Sequence, residues 1–198
     1  MKAAKKTSPV PVPSPASHPF LSDVIELRRR ARREIEEGAV TPAYGADRDA
    51  VVSLLNVAVA TEIVCVLRYK KHYFMADGIH GEPVRQEFLE HANEEQAHAD
   101  RLCERIRQLG GEPDLEPSGL LSRSHTEFQE ATSLVEMIRE NLFAERVAIE
   151  SYKEMLAYVG ATDPTTRRLF EDILGQEEEH ADELADLLRS FDGEKARV

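Results

Sequence analysis

Two short segments pair a glutamate with a histidine three residues later. Glu95 and His98 lie in EQAHADRL, and Glu177 and His180 in EEEHADEL; both read E-x-x-H-A-D-x-L. Residues i and i+3 share a helix face, so each pair can grip one ion from one side. Upstream of each stands a further glutamate. Glu62 opens E-x6-Y-K with Tyr69 and Lys70, and Glu145 opens the same pattern with Tyr152 and Lys153. Glu62 precedes Glu95 by 33 residues, and Glu145 precedes Glu177 by 32. A lone E-x-x-H carries little weight in a chain with 26 Glu in 198 residues. Repetition of the whole context makes the signal specific, and an ancient duplication of purely structural residues is the alternative.

The chemistry these types imply is metal coordination. Two such hairpins folded together would bring Glu62, Glu95, His98, Glu145, Glu177 and His180 to one place. Four carboxylates carry −4 and two divalent cations +4, which removes the main cost of burying that much charge. Empty, four crowded carboxylates would take up protons. Mixed oxygen and nitrogen ligation suits iron or manganese, and the lack of thiolate ligands argues against structural zinc.

The elements that must position these residues are helices. Five of ten prolines fall in residues 9–19; the others stand at 42, 83, 113, 117 and 164, leaving long proline-free stretches where helices can run. Apolar residues recur at helical spacing, as at Val52, Leu55, Val59, Ile63 and Val66, and at Leu89, Ala92, Ala99, Leu102 and Ile106. Gly110-Gly111 signals a helix end, Ser133 with Glu136 a capping box, and Asp163-Pro164 a helix start. The expected helices are 46–76, 83–109, 131–159 and 164–190, with no strand. Short connections make two antiparallel hairpins. The connection 110–130 is long enough to cross the bundle's length, giving an all-α four-helix bundle with one long crossover. An additional amphipathic helix is expected over 21–37, as a packing or subunit-contact element. The domain reading is a flexible Pro-rich tail (1–20), a helix and linker (21–45), and the bundle (46–198).

Composition narrows the function. Against 25 Lys+Arg stand 37 Asp+Glu, a net charge of −12. Such a body repels nucleic acid and anionic membrane and attracts cations. No apolar run is expected to approach the roughly 18–20 residues that span a bilayer. The basic N-terminus lacks the apolar stretch of a signal peptide, and two cysteines suit a reducing compartment, so a cytoplasmic location is expected.

On the upstream Glu62, the Leu109-Gly-Gly-Glu-Pro-Asp-Leu115 segment and both Glu-x-x-His-Ala-Asp motifs, residues 46–190 resemble the bacterioferritins and other ferritin-like proteins. The resemblance implies a ferroxidase that binds two Fe(II), with manganese or zinc able to substitute. It would oxidise them with O2 or H2O2 and store iron in a homo-oligomeric shell, limiting oxidative stress. Glu62 and Glu145 would be terminal ligands, Glu95 and Glu177 bridging, and His98 and His180 would take one iron each. Tyr69 matches the tyrosine that family keeps beside its site and is read as the catalytic residue, able to donate an electron or to hydrogen-bond a carboxylate. The haem-ligating Met of bacterioferritins is replaced by Gln96, so no haem is expected there. The short C-terminal end, SFDGEKARV, is too short for that family's fifth helix. With Cys65 and Cys103, it leans towards Dps-like ferritins with a bacterioferritin-type site and a twelve-subunit shell; a 24-subunit shell remains the alternative.

Cys65, one turn from Glu62, is expected to face inward. Cys103 would lie on the order of 14 Å from it along the bundle axis at about 1.5 Å per residue, beyond the roughly 7 Å Cα separation a disulfide allows. Each is read as a buried inert thiol, with a redox role for Cys65 as the sharper idea. Tyr152 is the counterpart of Tyr69. His72, His80, His91 and His125 fit no ligand set and are read as surface residues. Three tail lysines, Lys2, Lys5 and Lys6, are too few to make DNA an expected partner. The rival readings are a di-iron or manganese peroxidase or oxygenase that stores nothing, and a metal-stabilised structural or DNA-coating protein.

Overall fold

The structure is a computed structural model that describes residues 23–78 and 81–195, with side chains through 191. The Pro-rich tail, its lysines and His80 lie outside these residues. Six α-helices and no strand occur among the described residues: α1 (Val24–Ala31), α2 (Arg48–Met75), α3 (Gly81–Gln108), α4 (Leu120–Arg123), α5 (Leu134–Val159) and α6 (Pro164–Lys195). α2 packs along α3 and α5 along α6, while the segment between α3 and α5 crosses the bundle and lays α4 against α2.

The helix ends follow local chemistry. Gly110 adopts φ +74°, which a β-carbon would disfavour, and the Gly111 N–H then reaches back to the Ile106 carbonyl at 3.0 Å. Ser133 and Glu136 form a complete capping box at the start of α5. At the start of α6, Asp163 accepts from the Thr166 N–H at 2.9 Å, with Pro164 at the first helical position. Asp163 also holds the bundle end together. Arg105 of α3 donates to both its carboxylate oxygens at 3.0 Å, and the Tyr44 hydroxyl donates to it at 2.7 Å.

Two expectations need correction. The element expected over 21–37 is shorter: α1 stops at Ala31, Glu34 turns left-handed at φ +52°, and a 3-10 turn covers Ile35–Glu37. Five arginines between 28 and 33 repel one another and oppose one continuous helix. Secondly, α2 is long and apolar enough, by length and composition, to cross a membrane. Its apolarity is used inside the bundle: Val51, Leu55, Ala58, Val59, Val64, Cys65, Val66 and Tyr69 are all buried. Val52 and Ile63, assigned to the core stripe from spacing, sit half-buried at its edge.

The core is two apolar clusters. One gathers Leu55, Val59, Leu102, Ile106, Tyr152, Val159, Phe170 and Ile173; the other gathers Tyr69, Phe88, Ala92, Met137, Ile138 and Leu184. On α3 the first begins at Leu102 and the second ends at Ala92. On α6 they flank at Ile173 and Leu184. Between them, on every long helix, lies the candidate site.

Asp163→Ala is expected to lower unfolding stability by about 3 kcal/mol, because it strands the buried Arg105 guanidinium and removes a cap. Arg107→Ala, which loses only an exposed, solvent-screened ion pair with Glu104, should leave it unchanged. Denaturant unfolding of the two variants at matched assembly state measures both.

Candidate metal centre

Four helices each deliver ligand-type side chains into the layer between the clusters. Glu62 comes from α2, Glu95 and His98 from α3, Glu145 from α5, and Glu177 and His180 from α6; all six are buried. They form two overlapping groups whose ligand atoms lie within 4.8 Å of one another: Glu62, Glu95, His98 and Glu177, and Glu95, Glu145, Glu177 and His180. Glu95 and Glu177 belong to both, the placement two bridging carboxylates would have. His98 Nδ1 stands 3.0 Å from Glu177, 3.3 Å from Glu95 and 3.6 Å from Glu62. His180 Nδ1 stands 3.5 Å from Glu95, 3.8 Å from Glu145 and 4.0 Å from Glu177.

The repeat becomes a cross-brace. The Tyr69 hydroxyl of α2 donates to Glu145 of α5, and the Tyr152 hydroxyl of α5 donates to Glu62 of α2. Each hairpin's tyrosine thereby fixes the other hairpin's single glutamate. The outer nitrogens are crossed in the same way: His98 Nε2 pairs with Gln176 Oε1 of α6 at 3.0 Å, and His180 Nε2 with Glu94 Oε2 of α3 at 2.7 Å.

Within the layer, hydrogen bonds run short of the acceptors present. Glu62 Oε2, Glu95 Oε1, Glu145 Oε2, both Glu177 oxygens and His180 Nδ1 are buried without a hydrogen-bond partner. Buried polar atoms are ordinarily satisfied, and an orphan costs about 1–3 kcal/mol, more when charged. Six orphans converging on one spot, all of them metal-ligand atoms, fit a donor set for two cations. Protons partly fill the role otherwise. Burial, then the facing Glu95 carboxylate, pushes Glu62 up to about 8, and burial with the charges of Glu95, Glu62 and Glu145 pushes Glu177 well up. Burial acts against protonation of the histidines, but the surrounding carboxylates outweigh it. They raise His98 and lift His180 to about 12. Burial also acts upward on Glu95, but the Glu62 carboxyl and the His180 and His98 imidazoles that face it win and hold it well below the usual range.

Two histidines read as surface residues are buried. His91 joins Tyr69 Oη at 3.1 Å to Glu183 Oε2 at 2.9 Å and stacks on His180 with ring centroids 4.1 Å apart. It sits one turn before Glu95, on the same helix face, and that i, i+4 relation is the signal that could have placed it. His72 packs against Phe88 with Nδ1 3.1 Å from Asn141 Oδ1, and burial lowers it to about 4. His125 is exposed, 2.8 Å from Ser151 Oγ. Cys65 is buried and Cys103 half-buried, both free; burial raises the Cys65 thiol well above its ordinary value. Arg68 escaped notice in the sequence. It is buried without a carboxylate among its hydrogen-bond partners, and donates to Asn141, Thr126, the Glu127 carbonyl and Cys65. Gln96 is half-buried and bonds Asp100.

A helical bundle with a buried, carboxylate-rich layer shared by two hairpins defines the class of protein. The comparisons place it further. Residues 52–193 match the Ferritin-like domain family. A bacterioferritin of Desulfovibrio desulfuricans is 33% identical over 138 residues, covering 68% of this chain and 72% of that protein. A nutrient stress-induced DNA-binding protein of Nostoc sp. is 33% identical over 137 residues, covering 68% and 74%. Among solved structures, the dodecameric thioferritin of Bacteroides fragilis, a bacterioferritin-related protein, superposes with a TM-score of 0.74 at 30% identity, covering 77% of this chain and 92% of that one. The chain belongs to the ferritin-like family, which includes bacterioferritins and Dps proteins.

Cation binding should release protons. At pH 7, below their raised values, Glu62, His98 and His180 hold protons that ligation must displace. About three protons are therefore expected per pair of Zn(II) bound, the upward shift of Glu177 acting in the same direction, and affinity should fall as pH falls. Calorimetry in buffers of different ionisation enthalpy counts them; no release would contradict the site. The same titration should raise the melting temperature, by about 2.7 kcal/mol of stability per site at a hundredfold excess over Kd.

Proposed function

We propose that this chain is a ferroxidase that feeds an iron store. The observation that carries the reading is the pair of buried quartets sharing Glu95 and Glu177, with unpartnered oxygens turned into one layer. Fe(II) is the substrate. One ion would be taken by Glu62, Glu95, His98 and Glu177, and the other by Glu95, Glu145, Glu177 and His180. Two Fe(II) together supply the two electrons that, with two protons, reduce one H2O2 to two waters; O2 is the other oxidant. Delivering electrons in pairs limits radical release, so protection against oxidative stress follows from the same chemistry.

The chain supplies geometry and charge. Tyr69 and Tyr152 hold the terminal carboxylates Glu145 and Glu62 in place. The apolar clusters on either side exclude water and fix the side chains. The net charge of −12 favours approach of cations over anions. A homo-oligomeric shell, twelve-membered like the dodecameric thioferritin of Bacteroides fragilis, would hold the Fe(III) product as mineral. The acidic body weighs against DNA as a partner, although three relatives carry DNA in their names.

Aerobic addition of Fe(II) to metal-free protein should yield tens to hundreds of soluble Fe(III) per chain in a particle of about twelve chains. A halt near two per chain would replace storage by a peroxidase that mineralises nothing. Glu95→Ala should lose the rapid oxidation phase, by at least about a hundredfold, while the shell still assembles. Unchanged oxidation in that variant would remove Glu95 from the ligand set.

A further inference from the structure

The two halves of the repeat match at every ligand position, yet their outer hydrogen-bond partners differ in charge. On the inner side, His98 Nδ1 and His180 Nδ1 both face the shared carboxylates. On the outer side, His180 Nε2–H donates to the Glu94 carboxylate at 2.7 Å, and His98 Nε2–H donates to the neutral Gln176 amide oxygen at 3.0 Å. Glu94 precedes Glu95 and Gln176 precedes Glu177, so the repeat itself places these two residues as equivalents. A second difference falls on the same side. His91 stacks on His180 and is tied to the Glu183 carboxylate, whereas the equivalent position on α6 is the apolar Ile173.

An imidazole that hydrogen-bonds a carboxylate through its far nitrogen becomes a stronger donor to a metal at its near nitrogen than one bonded to an amide. The carboxylate also adds negative charge close to the cation. Both effects favour the half formed by Glu145 and His180.

We infer that the two metal positions are unequal, Glu94 and Gln176 being the positioning residues that rank them: the His180–Glu145 half fills first and retains its cation, and the His98–Glu62 half fills second and exchanges. This rests on the two-cation reading given above. Outer-partner changes at metal-bound histidines typically alter affinity by about 10–100-fold. The Glu94 side chain is 39% exposed, so solvent screening puts the expected ratio near the lower end, about tenfold.

The test uses Co(II), added without oxidant to the metal-free assembled protein. Calorimetry reads the two affinities, the Co(II) visible bands report each histidine's donor strength, and anomalous scattering at one equivalent per chain locates the cation. The wild-type protein should bind in two steps about tenfold apart, with the first ion beside His180. Glu94→Gln, nearly isosteric, should bring the steps together, and Gln176→Glu should tighten the second. The double exchange, Glu94→Gln with Gln176→Glu, should reverse the order of occupancy. Equal filling in the wild-type protein, or an unchanged order in the double exchange, overturns the ranking while leaving the two-cation site standing. Failure of Co(II) to bind, or binding unaffected by Glu95→Ala, overturns the site itself.

Discussion

Four carboxylates in one dry layer dominate this molecule. Such a layer is unfavourable in almost any fold, since like charges a few ångströms apart in a low-dielectric medium cannot all ionise without compensation. The rest of the bundle is arranged around it. Two apolar clusters flank it on the helices, so the carboxylates are confined to one narrow level of the core. Protons on His98, His180 and Glu62 compensate part of the charge, yet they leave six ligand atoms without a partner. Cations in the proposed site would neutralise what protons cannot, and this would tie fold, stability and chemistry to the same few side chains.

The tyrosine pair shows how positions are held without adding charge. A phenol buried beside a carboxylate donates one hydrogen bond and brings no counter-ion, so it orients the ligand while leaving its other oxygen turned inward. Tyr69 and Tyr152 do this reciprocally across the hairpins. Arg68 shows the opposite solution further out. Its guanidinium is satisfied by Asn141, Thr126 and the Glu127 carbonyl, and so clamps the crossover to α2 and α5. The crossover is thereby fastened at a point two turns along α2 from Glu62.

Much of this was written in the sequence because periodicity and repetition both spoke. The capping box at Ser133, the Asp163-Pro164 start and the Gly110-Gly111 stop are local effects, decided by neighbours in the chain. The four long helices lie within a few residues of their expected limits for that reason. The family, too, was legible from motifs that tolerate few residue types. What stayed hidden depends on packing between distant elements. Nothing local distinguishes the exposed His125 from the buried His72, whose burial is set by Phe88 and Asn141, and His91 shows itself only through its i, i+4 relation to Glu95. The apolar length of α2 likewise suits a bilayer or a protein core equally, and only its neighbours show that the side chains are spent on a core. Arg68 carries no local mark of its burial, which depends on Asn141 and on the crossover residues Thr126 and Glu127.

The sharing of ligands between hairpins has a consequence for how the chain comes to its final state. Glu62 with α3 makes an incomplete set, and so does Glu145 with α6; each quartet needs residues from both sides of the crossover. During synthesis the first hairpin emerges whole, can pack its apolar stripe and can form every one of its local hydrogen bonds, yet has no place for a complete set of ligands. Only after the second hairpin has docked in the correct direction does that place exist. Capture of a cation at the full site would thus act as a proof-reading step on topology, rewarding the one arrangement that brings residues more than a hundred positions apart into a single layer.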